Sequence, residues 1–108
     1  MKKQNYQGDV GIISGAELPK NIKLSALPKE GLVIAEGEVT GHKHLIVAEP
    51  EAIVEFGQDE KGTYIVNVKS GQAKLTHNKH DVQVLKRGAH FFPMQMEYSE
   101  DEDKRVQD

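Results

Sequence analysis

The sequence contains no cysteine and no tryptophan, and its aromatic content is only 6%. Without cysteine the chain cannot form disulfides, thiolate zinc sites or a cysteine nucleophile. Its longest apolar runs, residues 31–35 and 45–48, are far too short to span a bilayer. The residues after Met1-Lys2-Lys3 are polar, so no secretory signal is indicated. We therefore expect a cytoplasmic protein that does not contact a membrane.

Size and charge narrow the class of protein further. The chain has 108 residues, of which 37% are hydrophobic, and a formal net charge of −3. A domain of this length buries a thin core, and thin cores are commonly supplemented by a metal or by contacts between subunits. A negative net charge does not suit a nucleic-acid partner. The composition thus favours a homo-oligomer or a subunit of a larger assembly, without nucleic acid.

Alternating apolar residues predict an all-β fold. In Thr63–Lys69, the side chains of Tyr64, Val66 and Val68 fall on one face of an extended strand. A polar turn with Gly62 precedes this strand, and Ser70-Gly71 predicts a hairpin into a further strand. We expect a small barrel or jelly-roll-like sandwich over residues 1–98, followed by an acidic tail over residues 99–108. The other predicted strands are Asp9–Ser14, Leu32–Glu36, Glu38–Ala48, Ala52–Phe56, Gln72–His77, Val82–Leu85 and His90–Glu97, the last an edge or bulged strand because it contains Pro93.

All five histidines lie between residues 42 and 90, and four of them form two closely spaced pairs. His42 and His44 are two residues apart, so they share one face of a strand. His77 is followed by His80 across Asn78-Lys79, a turn-like pair that can bring both rings to one point. The spacing predicts that His42, His44, His77 and His80 bind one divalent transition metal, which could be Zn, Ni, Fe or Mn.

Glu49 and His90 are candidates for an additional ligand or for a hydrogen-bond partner of the ligands. Glu49 follows the strand that carries His44, and the turn at Pro50 could redirect its side chain. His90 shares a strand face with Phe92, and the explanation that we favour for it is a packed histidine at the end of a sheet. The alternative for all five histidines is a set of hydrogen-bonding or titrating side chains without a metal.

These motifs resemble two families. Gly37–His44 with Glu49 resembles the first cupin motif, a Gly followed by H-x-H and a Glu, although the gap between the Gly and the first His is one residue short. Nearly the whole chain resembles a family of small, uncharacterised bacterial and phage-borne proteins, although Met96 stands where that pattern has an Arg. This second resemblance implies that the four histidines belong together, and it carries no function. Its elements here are Gln7-Gly8-Asp9-Val10, Gly37–His44, Leu75–His80, Gly88 and Glu97-Tyr98.

Three functions from different classes stay open at this point, and no catalytic residue is identified. The first is a non-enzymatic, metal-stabilised binding or structural module, such as a subunit of a phage particle, which would place it in the virion. The second is a cupin-like metalloenzyme with His42, His44 and His77 as ligands and Glu49 as ligand or base. The third is a metal-free module that binds a partner through an apolar strand, which is equally explained as a buried strand. That strand would present Phe91, Phe92, Met94 and Met96.

Overall fold

Ten β-strands form the regular structure in the part of the chain that the computed structural model describes, which is residues 3–7, 10–36, 43–78 and 80–93. Within these residues, no helix is long and apolar enough to cross a membrane. The predicted acidic tail, residues 99–108, lies outside them. The strands are β1 Lys3–Gln7, β2 Val10–Ser14, β3 Ser25–Ala26, β4 Leu32–Glu36, β5 Lys43–Ala48, β6 Ile53–Gln58, β7 Tyr64–Ser70, β8 Ala73–Thr76, β9 Gln83–Leu85 and β10 Gly88–Phe92.

The strands form two antiparallel sheets that pack face to face. The larger sheet has the order β1-β2-β10-β7-β6-β3, and the smaller has the order β4-β5-β8-β9. Ile46 and Leu75 of the smaller sheet and Val66 and Val68 of the larger sheet are buried in one core cluster. Val66 and Val68 lie on the face of β7 that the period-2 pattern predicts to be apolar. The prediction of an all-β fold is confirmed, and of the two architectures considered the protein has the sandwich.

The hairpin predicted at Ser70-Gly71 is instead a crossing between the sheets. β7 pairs with β6 and β10, whereas β8 pairs with β5 and β9. Gly71 has a φ of 76°, and a Cβ added there would lie 2.7 Å from Cβ of Ala52. The glycine therefore lets the chain turn closely past Ala52 as it changes sheets. The hairpin prediction was wrong because a Gly turn does not determine which sheet the next strand joins.

The last strand also differs from its predicted position in the sheet. β10 is an internal strand, since it pairs with β2 on one side and with β7 on the other. It ends at Phe92, immediately before Pro93, so the missing N–H of the proline interrupts no strand pairing. The prediction of an edge strand was therefore wrong for residues 90–92, and residues 94–97 of the predicted strand lie outside the described residues.

The outer face of the larger sheet is covered where the segment between β2 and β3 crosses Gly57. A Cβ added at Gly57 would lie 2.5 Å from the carbonyl oxygen of Lys23 and 3.0 Å from Cδ2 of Leu24. Ile65 pairs with Gly57 in the adjacent strand and is fully buried. Glycine at position 57 thus allows residues 22–24 to lie directly on the sheet.

We expect Gly57→Ala to lower the free energy of unfolding by about 1–3 kcal/mol, because its Cβ would press on the carbonyl oxygen of Lys23 and on the side chains of Ile22 and Leu24. Urea unfolding followed by circular dichroism measures this change. Val84→Ala is the control, since Val84 is exposed on β9 and should change stability by less than about 0.5 kcal/mol. Equal stability of Gly57→Ala and the wild type would contradict the close approach.

Candidate metal centre

Three histidine rings lie against one another where β5 begins and β8 ends. The ring centroids of His44 and His77 are 4.3 Å apart, those of His77 and His80 are 4.4 Å apart, and those of His44 and His80 are 6.0 Å apart. His44 is fully buried, the other two side chains are partly buried, and the Nε2 atom of His77 is itself buried. Three of the four histidines that the spacing grouped together are therefore neighbours.

Strand register explains why His44 and His77 meet. In the β5–β8 pair, Leu45 lies opposite Thr76 and Ile46 lies opposite Leu75. One further step of this antiparallel register sets His44 opposite His77, and side chains opposite each other have Cβ atoms about 4.5–5.5 Å apart. His44 also shares a face with the fully buried Ile46, as period-2 alternation requires.

His80 reaches the cluster through the loop between β8 and β9. In the antiparallel β8–β9 pair Leu75 lies opposite Gln83, so the loop between these strands must reverse the direction of the chain within a short segment. This reversal places the ring of His80 against the ring of His77, which precedes it in the H-x-x-H motif. The cluster therefore combines one side chain from β5 with two from the β8–β9 connection.

The three rings are close together, but they are not arranged as ligands of one ion. Imidazoles that bind one zinc ion at about 2.0–2.1 Å have ring centroids roughly 5 Å apart. The separations of 4.3, 4.4 and 6.0 Å lie on both sides of this value. Among the described residues, no group of three or more His, Asp or Glu side chains is arranged so that it could hold a metal ion. A shared ion would require the rings to turn, and the predicted ligand His42 lies outside the described residues.

A buried amide, that of Gln7, contacts all three segments of the cluster. Gln7 ends β1 of the larger sheet, and it is only 1% exposed. Its Nε2 donates hydrogen bonds to the carbonyl oxygens of Leu75 at 2.7 Å and Asp81 at 2.8 Å. Its Oε1 lies 2.9 Å from Nδ1 of His44. Leu75 lies in β8 and Asp81 in the loop before β9, on either side of the other two histidines.

Gln7 is the site residue that sequence reasoning missed. It lies in Lys3–Gln7, a polar stretch whose composition indicates surface residues rather than buried ones. The one signal that pointed to it was the pattern of the uncharacterised family, in which Gln7-Gly8-Asp9-Val10 is the first element.

Glu49 lies at the opposite end of β5 from His44. Five residues of extended chain separate the two, which corresponds to roughly 16 Å. The Glu49 carboxylate lies 3.7 Å from Nζ of Lys74, and both side chains are partly exposed. This position pairs Glu49 with a lysine and gives no support to its predicted role beside the histidines.

His90 lies in the larger sheet with protein partners at both ring nitrogens. Its Nε2 donates to the carbonyl oxygen of Lys86 at 2.6 Å, so in the neutral ring Nδ1 accepts the hydrogen bond from Oγ of Ser14, also at 2.6 Å. Burial lowers the pKa of His90 from its ordinary value of 6.5, and the hydrogen bond to Lys86 opposes this shift. These contacts fit the packed histidine that was the alternative to a ligand.

The apolar strand proposed as a partner-binding surface is partly in the core. Phe92 is 2% exposed and belongs to the core cluster, whereas Phe91 is half-buried and pairs with Ile13 and Ile65. Met94 and Met96 lie outside the described residues. The position of Phe92 fits the alternative of a buried strand.

An open cavity adjoins the histidine cluster on the side of β5 and β8. It has a volume of about 510 Å³, and His77 lines it together with polar and charged groups. His77 thus borders both the cluster and a space that a small molecule could enter. The remaining lining residues are Lys43, Leu45, Thr76 and Asn78.

The protein is a small antiparallel β-sandwich with a histidine cluster, and the buried Gln7 forms hydrogen bonds to the segments that carry these histidines. Residues 6–95 match the family model described as "Domain of unknown function (DUF8820)", and the chain belongs to this family. The match agrees with the predicted resemblance to an uncharacterised family, whose motif pattern and bacterial or phage origin stay predictions. No curated protein and no solved structure matches the chain.

We expect burial of neutral His90 to make folding less stable at acidic pH. The unfolded chain takes up this proton near pH 6.5 while the folded chain, whose His90 has a lowered pKa, resists it. Stability therefore falls as pH drops below about 6.5, until the folded state is protonated as well. Urea unfolding with a chelator, from about pH 7.5 to about pH 5, should show a smaller loss in His90→Asn than in the wild type. Equal losses in the two proteins would exclude this contribution, because the histidine cluster is common to both.

Proposed function

We propose that this protein is a metal-stabilised β-sandwich module in which His44, His77 and His80 bind one divalent transition metal ion. The observation that supports the proposal is the meeting of three imidazole rings, from β5 and the β8–β9 connection, at centroid distances of 4.3–6.0 Å. His42, two residues before His44 and outside the described residues, is the proposed fourth ligand. The role is structural or binding rather than catalytic.

The chemistry of the donor set supports a metal. Neutral imidazole is a ligand for Zn, Ni, Fe and Mn, and each ring offers one nitrogen lone pair. Protonated rings this close would repel one another, and the repulsion is stronger in a buried site than in water. A divalent cation instead attracts all the lone pairs at once, so it would relieve the crowding of three polar rings beside a hydrophobic core.

The position of the cluster supports a structural role. An ion shared by His44, His77 and His80 would connect β5 to two positions of the β8–β9 loop. Structural metal sites contribute their binding energy to folding, and this matters most where the core is thin. The chain is only 37% hydrophobic, so a cross-link in the smaller sheet would supply stability that side-chain burial does not.

We expect the wild-type chain, purified without a histidine tag, to bind one Zn²⁺ per chain. His44→Ala and His77→Ala should each weaken this binding at least about tenfold, since each removes one ligand. Isothermal titration calorimetry and elemental analysis measure the stoichiometry and affinity. His90→Asn is the matched control, because His90 lies on β10 of the larger sheet with Ser14 and Lys86 as its partners, and its loss should leave Zn²⁺ binding unchanged. Failure of the wild type to bind Zn²⁺, Ni²⁺ or Fe²⁺ would refute the proposal.

A second candidate, a metalloenzyme, is favoured by the cavity at His77. Catalytic zinc sites keep one coordination position open, whereas structural sites are closed by four protein ligands. The cavity of about 510 Å³ would give a small molecule access to the ion from the His77 side. Co²⁺ in place of Zn²⁺ separates the two candidates: addition of azide should leave the visible spectrum of a closed site unchanged and should alter that of an open one.

We expect metal binding to stabilise the fold, and the gain to shrink as the pH falls. An ion present at about 100 times its dissociation constant adds about 2.7 kcal/mol to the free energy of unfolding. Protons compete with the ion for imidazole nitrogen, so the gain should decrease from about pH 7.5 to about pH 5.5. Thermal melting with Zn²⁺ and with a chelator, compared at each pH, isolates the metal from the titration of His90. A gain that does not depend on pH would contradict imidazole ligation.

A further inference from the structure

The hydrogen bonds of Gln7 allow only one orientation of its side-chain amide. The amide nitrogen has two N–H donors, and both are used by carbonyl oxygens, Leu75 O at 2.7 Å and Asp81 O at 2.8 Å. Carbonyl oxygens only accept hydrogen bonds, so the amide oxygen cannot occupy that position. The atom that faces His44 is therefore Oε1, which is itself only an acceptor.

This orientation determines which nitrogen of His44 carries the proton. Because Oε1 of Gln7 accepts, Nδ1 of His44 must donate across the 2.9 Å between them. A neutral imidazole has one N–H, so the lone pair is then on Nε2. We propose that Gln7 is a positioning residue that holds His44 in the Nδ1–H tautomer and so presents Nε2 as the metal-binding atom. The role toward the metal rests on the proposed function, whereas the tautomer does not.

Burial makes this constraint strong. Gln7 is 1% exposed and His44 is fully buried, so neither group can exchange its partner for bulk water. A buried polar group left without its hydrogen bond is disfavoured because it has lost its water without gaining a partner, which opposes the other tautomer. Metal-bound histidines generally donate their second N–H to an acceptor, which fixes the ring and makes the other nitrogen a better ligand. Gln7 supplies such an acceptor to His44.

The same contacts connect the histidine cluster to the first strand. Gln7 lies on β1 of the larger sheet, while its partners His44, Leu75 and Asp81 belong to the smaller sheet and its loop. Whatever displaces β1 also removes the acceptor at His44. By linkage, an ion that binds His44 through Nε2 should in turn hold β1 in place.

The test compares Gln7→Met, which keeps the size of the side chain and removes the amide, with Asn5→Ala. Asn5 lies on the same strand and also bridges the sheets, by a 2.6 Å hydrogen bond from its Nδ2 to Oε1 of Gln83. Nitrogen-15 NMR of metal-free protein reports the tautomer of His44. We expect the Nδ1–H tautomer in the wild type and in Asn5→Ala, and its loss in Gln7→Met. An Nε2–H tautomer in the wild type, or an unchanged tautomer in Gln7→Met, would overturn the proposal.

Zn²⁺ affinity is the second readout. Gln7→Met should weaken binding about 10–100-fold, as loss of a ligand's hydrogen-bond partner typically does. Asn5→Ala should change it less than about threefold, and equal losses in the two variants would overturn the positioning role. If Gln7→Met does not fold, the wild-type spectrum decides alone, and an Nε2–H tautomer of His44 there would count against the proposal. If the wild type binds no Zn²⁺, the proposed function fails, and the tautomer spectra alone decide the role of Gln7.

Discussion

The three hydrogen bonds of the Gln7 amide constrain the end of the sandwich at which the histidines meet. A buried primary amide is tolerated where its donors and its acceptor all have partners. Gln7 finds them on three separate segments: His44 on β5, Leu75 on β8 and Asp81 in the loop before β9. The edge strand β1, the loop that carries His80 and the ring of His44 are therefore fixed by one side chain. The proposed metal centre depends on that arrangement, because it sets both where the rings lie and which nitrogen is protonated.

Two of the histidines in the part of the chain that the structure describes are buried, and their surroundings differ. His90 is accounted for by protein groups alone, since Lys86 accepts from one nitrogen and Ser14 donates to the other. His44 instead shares its surroundings with two further imidazoles within 6.0 Å. The cavity beside His77 adds a route by which an ion or a small molecule could arrive.

Much of the fold could be predicted from the sequence, and the failures have a common cause. β4 has the predicted bounds, Leu32–Glu36, and the apolar face of β7 is the predicted one, because both strands bury alternating apolar side chains. β1 was missed because it is held by pairing with β2 and by the buried Gln7 rather than by apolar burial; its Tyr6 is 54% exposed. The two-residue strand β3 is too short to carry a pattern. Hydrophobic periodicity detects burial, and it gives no information on which sheet a strand joins.

The candidate site, like the fold, could be predicted only where local sequence patterns determine it. Period-2 alternation predicts that His44 faces inward, and the H-x-x-H spacing places His77 and His80 at one bend. The distance between the two pairs, by contrast, depends on the register of β5 against β8, which no local pattern specifies. Gln7 depends on contacts 37 to 74 residues away in the chain, so its role could be found only in the folded structure.

Anomalous diffraction at the zinc absorption edge, from crystals grown with Zn²⁺, tests the central claim most directly. The account predicts one anomalous peak per chain, about 2.0–2.1 Å from nitrogen atoms of His44, His77 and His80, with Nε2 as the ligand atom of His44. It would be contradicted if the peak were absent, or lay elsewhere, while the three rings kept their present packing.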